Sequence, residues 1–113
     1  MNATTDTFPD DENGDVLRRM QESGDDLTIP REIDFSVVFP SEDAAIAFAV
    51  HLLRNGQKVS LAEPKTDDNL PWEVTVHPRF VPTHAAITAY EELLARDAAE
   101  FNGRNDGWGC MQQ

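Results

Sequence analysis

Apart from its carboxylates, this sequence has four side chains of the types that most often bind transition metals: three histidines and one cysteine. His77 and His84 form the obvious metal pair, but their spacing of seven matches no common zinc pattern, and Cys110 offers a single thiolate. As a nucleophile, Cys110 would need a histidine base and an orienting group, and no phosphate-binding loop or nucleophile elbow accompanies it. We therefore predict no catalytic residue, no metal site and no cofactor.

An acidic run at 10–15 resembles the start of a calcium-binding loop. Such a loop needs glycine at its sixth position and oxygen ligands at its first and twelfth. With Gly14 in sixth place, Pro9 and Met20 occupy those two positions, and neither carries a carboxylate. The run is better explained as the start of a helix, where carboxylates interact favourably with the helix dipole.

The charge of the chain excludes several kinds of partner. The chain has 21 acidic and 9 basic residues, a net charge of −12, whereas proteins that bind nucleic acids or anionic membranes present basic surfaces. We therefore predict no direct contact with nucleic acid or membrane, and we favour a basic protein partner, whose encounter opposite charge accelerates. Half of the net charge lies in residues 1–32, which carry nine acids and three bases.

The acidic pairs either solvate the surface or form a negative face for an arginine-rich partner, because a guanidinium binds a carboxylate through two parallel hydrogen bonds. Trp108 stands between two glycines, and it either seals the core or anchors an interface. The candidate partner-binding residues are Asp10, Asp11, Asp15, Asp25, Asp26, Asp106 and Trp108.

Size and composition predict one globular domain. The chain has 113 residues, of which 40% are hydrophobic and 27% charged, and domains of about 100–150 residues are the commonest. We assign residues 1–9 to a flexible tail and 10–113 to the domain. The single cysteine is consistent with a reducing compartment. No apolar segment has the pattern of a signal peptide or a membrane span. We expect a cytoplasmic protein.

Hydrophobic periodicity predicts three helices and four strands. The first helix lies at about 13–23. The second is capped by Ser41 and ends at Asn55-Gly56, and its apolar stripe is Ala45, Phe48, Ala49, Leu52 and Leu53. The third begins at Pro82-Thr83 and ends at Asn102-Gly103. The first strand is predicted at 33–39, and the second at 57–63, with Val59 and Leu61 facing the core. The third is predicted at 72–77 and ends at Pro78. Residues 105–111 are predicted as an edge strand or a docked tail. We expect a polar loop at 64–71.

The order of these elements predicts an α+β fold. We expect a ferredoxin-like βαββαβ sandwich, with an antiparallel four-stranded sheet, helices on one face and an extra N-terminal helix. Right-handed crossovers place the first and third strands at the centre. Their outward side chains lack the aromatic platform on which RNA-recognition domains stack bases; these are Asp34, Ser36, Val38, Glu73, Thr75 and His77.

Several ordered segments across about residues 8–111 resemble the bacterial regulator of ribonuclease activity B family, protein inhibitors of ribonuclease E. They are Asp15-Val16-Leu17-Arg18-Arg19-Met20, Gly24-Asp25-Asp26-Leu27, Pro30-Arg31-Glu32-Ile33-Asp34-Phe35 leading into Phe39-Pro40, Val81-Pro82, the helix from Ile87, and Asn105-Asp106-Gly107-Trp108-Gly109. Any one of these segments alone would be a weak signal, but the ordered set is fairly specific.

The resemblance implies a ferredoxin-like sandwich and a cytoplasmic protein without catalytic activity. It also implies binding to the arginine-rich, non-catalytic scaffold region of ribonuclease E, which lowers RNA cleavage. It supplies no residue-level motif for that contact, and this chain ends in polar residues 111–113 where family members often carry longer acidic tails. Two other hypotheses stay open: a small-molecule-sensing regulatory domain with a glycine-rich segment at 103–109, and a metal or thiol enzyme that uses His77, His84 and Cys110.

Overall fold

The computed structural model describes residues 9–62, 64 and 69–110 of the chain. In this part of the chain the helices are α1 (Glu12–Glu22), α2 (Glu42–Arg54) and α3 (His84–Ala99). The strands are β1 (Arg31–Phe39), β2 (Val59–Leu61), β3 (Trp72–Val76), β4 (Arg79–Phe80) and β5 (Arg104–Cys110). The tail predicted at 1–9 falls, except for Pro9, outside the described residues.

The second and third helices begin where Ser41 and Pro82-Thr83 predict, and α1 begins one residue before its predicted start at 13. Asp11, Ser41 and Thr83 each accept a hydrogen bond from the backbone N–H three residues later, which satisfies a donor at the helix start. The acidic run at 10–15 is therefore the start of α1, as predicted. The predicted end of α3 is also found: Asn102 has a φ of 63°, and the Gly103 N–H donates to the carbonyl of Ala98 at 2.9 Å.

The sheet is antiparallel and open, and β1 lies at its centre. The strand order is β2–β3–β1, and β5 pairs with β1. The β1–β3 register runs from Phe35 opposite Val76 to Phe39 opposite Trp72. The first and third strands are central, as predicted, because β3 pairs with β2 and β1, and β1 pairs with β3, β4 and β5.

The sheet has five strands rather than the predicted four, because Pro78 divides one segment into β3 and β4. Arg31 and Glu32 of β1 pair with Phe80 and Arg79 of β4, in the register already set by β3. Proline has no N–H for the ladder, although the Pro78 carbonyl still accepts from the Ile33 N–H at 2.8 Å. The chain therefore continues along β1 beyond the residue at which the strand was expected to end.

Two apolar side chains predicted to face the core are exposed. Leu61 is 44% exposed because β2 is only three residues long and pairs with β3 alone. Leu53 of α2 is 56% exposed because the helix turns its buried stripe, Ala45, Phe48 and Leu52, toward the sheet. Glu63 and residues 65–68, which fall in the predicted second strand and polar loop, lie outside the described residues.

The core lies between the sheet and the helices, on one face of the sheet. Phe35 and Phe39 are four residues apart on β1 and so point the same way. The Phe35 ring lies 4.8 Å from that of Tyr90 on α3, and the Phe39 ring lies 5.1 Å from that of Phe48 on α2. Both helices therefore cover the same face. The fully buried side chains include Leu17, Ile33, Val37, Val74, Val76, Ile87 and Leu94.

A bulge in β5 directs Trp108 toward the helices. Phe35 lies opposite Trp108, but Val37 lies opposite Asn105, so β5 has one more residue than β1 across this interval. Gly107, in this interval, has a φ of 106°, a conformation that favours glycine. The residues predicted as an edge strand or docked tail are therefore a strand. The molecule as a whole is a mixed α+β fold, and none of the helices in its described part is long and apolar enough to cross a membrane.

Candidate acidic cleft

A cleft of about 630 Å³ opens between α1, α3 and β5. Its walls come from three regions that are distant in sequence, which the fold brings together around the start of α1. The lining residues are Asp11, Glu12, Asn13, Val16, Thr88, Glu91, Asn105, Asp106, Gly107 and Trp108.

Asn13 ties the three walls of the cleft together. Its Oδ1 accepts from the Trp108 indole N–H at 2.8 Å. Its Nδ2 donates to Glu91 Oε1 at 2.7 Å and lies 3.2 Å from Thr88 Oγ1. One half-buried amide thus links α1 to α3 and to β5, and it fixes both the indole and the Glu91 carboxylate.

The described lining of the cleft has a net negative charge. Four of the ten lining residues are acidic, namely Asp11, Glu12, Glu91 and Asp106, and none is lysine or arginine. Asp11 lies at the rim, where its carboxylate is 2.9 Å from His84 Nε2. The hydrogen bond from the Gly14 N–H, followed by that from His84, lowers the pKa of Asp11. Asp11 is therefore ionised at neutral pH.

Asn105 adds a polar group to the wall of the cleft. Its Nδ2 donates to the Glu91 carbonyl at 2.9 Å. Its Oδ1 is buried, and it accepts no hydrogen bond from any of the described residues. A buried acceptor without a donor is unusual.

Four of the predicted partner-binding residues lie together in or beside this cleft. Asp11, Asp106 and Trp108 line it, and Asp10 is exposed next to Asp11. Asp15 is exposed one turn along α1, where it pairs with Arg18 at 2.7 Å.

The other two predicted residues belong to a different part of the molecule. Asp25 is buried with Arg31, with 1% and 2% of the two side chains exposed and a separation of 2.7 Å. Arg31 also donates to the carbonyls of Asp26 and Ile29, so the pair fixes the loop before β1. The Asp26 carboxylate accepts from the N–H and hydroxyl of Thr28, and this lowers its pKa. Asp25 is thus a structural group with no surface for a partner.

The three residues of the hypothetical metal or thiol enzyme do not form one site. His84 contacts Asp11, whereas His77 contacts Asp34 and Ser60 on the opposite face of the sheet. Cys110 is half-buried opposite Ile33, and burial raises the pKa of its thiol. A protonated thiol without a histidine base is a poor nucleophile.

Sequence reasoning missed Asn13, Glu91 and Asn105 as members of the site. Glu91 belongs to an acidic pair in the sequence, but nothing near it signals that it faces α1. Asn13 and Asn105 carry no local signal, because their partners are 78 and 14 residues away. Only the packing of α1 against α3 and β5 makes them neighbours.

The comparison with known families agrees with the similarity seen in the sequence. The family model described as regulator of ribonuclease activity B matches residues 10–110, nearly the whole chain. The chain belongs to this family. All the residues that line the cleft fall within the matched range. No curated protein matches the chain.

Membership of the regulator of ribonuclease activity B family indicates a protein that regulates a ribonuclease, with a protein as its partner. The family gives no role to individual residues. The residues that could make such a contact must therefore be inferred from the geometry of the cleft.

Proposed function

We propose that this protein inhibits ribonuclease E in the bacterial cytoplasm by binding the arginine-rich, non-catalytic scaffold region of that enzyme, and that it catalyses no reaction itself. The family assignment supports regulation of a ribonuclease. The net charge of −12 supports a basic partner. The observation that carries the proposal is the acidic cleft, where four carboxylates converge beside an indole ring.

The cleft has the chemistry of an arginine site. A guanidinium offers five N–H donors and no acceptor, and it stacks on aromatic rings. In the cleft it would meet the Asp106 and Glu12 carboxylates and the indole of Trp108. A lysine ammonium would use the charge but not the planar arrangement, so we expect arginine to be preferred.

We include the ferredoxin-like arrangement in the proposal. It is supported by the β2–β3–β1 order, the β1–β5 pairing and the position of α2 and α3 on one face. In this arrangement β5 lies beside β1 and brings Asp106 and Trp108 to α1, so the cleft depends on the extra N-terminal helix.

A small-molecule-sensing domain is the second candidate, since a cleft of about 630 Å³ lies within the size range of ligand sites. Such sites are usually lined mainly by apolar side chains, with few polar groups. Only Val16 and Trp108 among the lining residues are large and apolar, which favours a charged protein segment. A metabolite screen that raises the melting temperature would support the second candidate.

Calorimetric titration of the full chain with the scaffold region of ribonuclease E tests the proposal. Binding should weaken as salt is added, because salt screens exposed charges. The double variant Glu12→Gln with Asp106→Asn should weaken binding by about tenfold, from two lost ion pairs of about 0.7 kcal/mol each.

The matched control is Glu92→Gln with Glu100→Gln, which changes the net charge equally at exposed positions of α3 and its C-cap. We expect this control to bind within about threefold of the unaltered chain, since distant exposed charges contribute little. Equal losses in the two double variants would show that net charge alone, rather than the cleft, attracts the partner. Absence of binding at low salt would contradict the proposal as a whole.

A further inference from the structure

Three side chains of metal-ligand type meet on the face of the sheet opposite to the helices. Glu32 and Asp34 lie two residues apart on β1, so both point to this face. His77 follows β3 and lies next to Pro78, whose carbonyl accepts from the Ile33 N–H. One ligand atom from each of Glu32, Asp34 and His77 lies within 4.8 Å of the other two.

The imidazole of His77 is held in a fixed orientation. Its Nδ1 lies 2.7 Å from Asp34 Oδ1, and its Nε2 lies 2.5 Å from Ser60 Oγ. Only 14% of the His77 side chain is exposed, whereas Asp34 is 53% exposed. An imidazole that binds a metal through one nitrogen commonly makes a hydrogen bond through the other, which fixes its tautomer. Ser60 occupies the position of that second partner.

We infer that Glu32, Asp34 and His77 form a binding site for a divalent transition-metal ion such as Zn²⁺. His77 Nδ1 and one oxygen from each carboxylate are the ligands, and water completes the coordination. The ion takes the place of the proton between Nδ1 and Asp34, while the Nε2–H donates to Ser60. Ligand atoms of a tetrahedral zinc ion lie about 3.3–3.6 Å apart. Nδ1 and Asp34 Oδ1, which are 2.7 Å apart, therefore separate slightly to admit the ion, and the Glu32 carboxylate moves toward it. Glu32 is 45% exposed, which leaves its side chain free to make that adjustment.

Lys58 provides a means of testing this geometry. Its Nζ lies 2.9 Å from Glu32 Oε2, and this hydrogen bond lowers the pKa of Glu32. The ammonium competes with a metal ion for the same carboxylate, and its positive charge also repels the metal ion. A variant without this charge should therefore bind the metal more tightly. The inference is independent of the proposed function. The acidic cleft lies between α1, α3 and β5, whereas Glu32, Asp34 and His77 lie on the face of the sheet opposite to the helices.

The experiment is a calorimetric titration of the full chain with zinc chloride, in a background in which Cys110→Ser removes the thiol. We expect one saturable site. Glu32→Gln and His77→Gln should each weaken zinc binding by at least about tenfold, and Lys58→Gln should strengthen it by about threefold or more. His51→Gln is the matched control, because it removes an imidazole that pairs with Asp97 on the helical side, and it should leave zinc binding unchanged.

A second measurement identifies the ligand directly. The chain has three histidines, and proton NMR of their rings should show a zinc-dependent shift for His77 alone. Glu32 is exposed, so its substitution preserves the fold even if that of His77 does not. The inference is overturned if the Cys110→Ser chain shows no saturable zinc binding, if Glu32→Gln binds zinc as tightly as its parent, or if His51→Gln loses as much affinity. An unchanged affinity in Lys58→Gln would count against Glu32 as a ligand.

Discussion

Trp108 and Asn13 are 95 residues apart in the chain, and the indole N–H of the first donates to Oδ1 of the second at 2.8 Å. Because the amide of Asn13 also donates to Glu91, this contact joins β5, α1 and α3 at the cleft. The Trp108 ring lies 6.5 Å from that of Phe35, so the same side chain connects the cleft to the core. The shape of the cleft and the stability of the fold are therefore linked.

A double-mutant cycle on this pair tests that link. Trp108→Phe removes the donor and keeps an aromatic ring, and Asn13→Ala removes the acceptor. Each should lower the free energy of unfolding, and the coupling between them should be about 1 kcal/mol, the usual net contribution of one hydrogen bond. Urea denaturation measures all four free energies. Additive losses would show that the hydrogen bond contributes nothing to stability.

Substitution of Asp25 should be strongly destabilising. Asp25→Asn leaves the Arg31 guanidinium charged and without its carboxylate at a site where 2% of its side chain is exposed. The expected loss in the free energy of unfolding is about 3–5 kcal/mol. Asp10→Asn, on an exposed residue of the same type, should change it by less than about 0.5 kcal/mol. Similar, small effects of the two substitutions in denaturant titrations would contradict the structural role of the ion pair.

The single tyrosine should titrate at unusually high pH. Burial, together with the charge of Asp97, raises the pKa of Tyr90 to about 12 from 10.0, and its hydroxyl donates to Gln57 at 2.8 Å. Because the folded-state pKa is the higher one, this contribution to stability is complete below pH 10 and is lost as the pH rises toward 12. The tyrosinate ultraviolet absorbance follows one residue, since the chain has one tyrosine. A midpoint near 10 in the folded protein would be inconsistent with this environment.

Cys110 should react slowly with alkylating reagents in the folded protein. Burial raises the pKa of its thiol, although the Arg31 guanidinium acts in the opposite direction. Less thiolate is therefore present at mildly alkaline pH than in an unfolded chain. We expect the iodoacetamide reaction to be several-fold slower than in guanidinium chloride, where the same cysteine is free. Mass spectrometry counts the single adduct, and equal rates would argue against a buried thiol.

Local sequence signals were sufficient to predict most helices and strands. Ser41 and Thr83 each cap a helix through a backbone N–H three residues away, so the information lies within one turn of the chain. The alternation of Ile33, Phe35, Val37 and Phe39 likewise predicts the buried face of β1 from side-chain type alone. Leu61 and Leu53 were assigned wrongly because apolar type does not reveal whether a neighbour covers a position.

The functional groups were less predictable. Trp108 was a candidate because tryptophan is common in interface anchors. Acidic composition predicted a basic partner and placed Asp11 and Asp106 among the candidates. The same reasoning included Asp25, which the structure buries with Arg31. A carboxylate that solvates the surface and one that neutralises a buried guanidinium look identical in sequence, since only burial distinguishes them.

By itself, the sequence determined the caps, the strand alternation, the net charge and the family. Each of these depends on residue identity over a few positions or on a sum over the whole chain. The tertiary structure alone decided that Asn13 meets Trp108 and Glu91, and that His77 meets Glu32 and Asp34. Such contacts depend on strand register and helix packing, and a shift of one residue in β1 would turn Asp34 to the opposite face of the sheet.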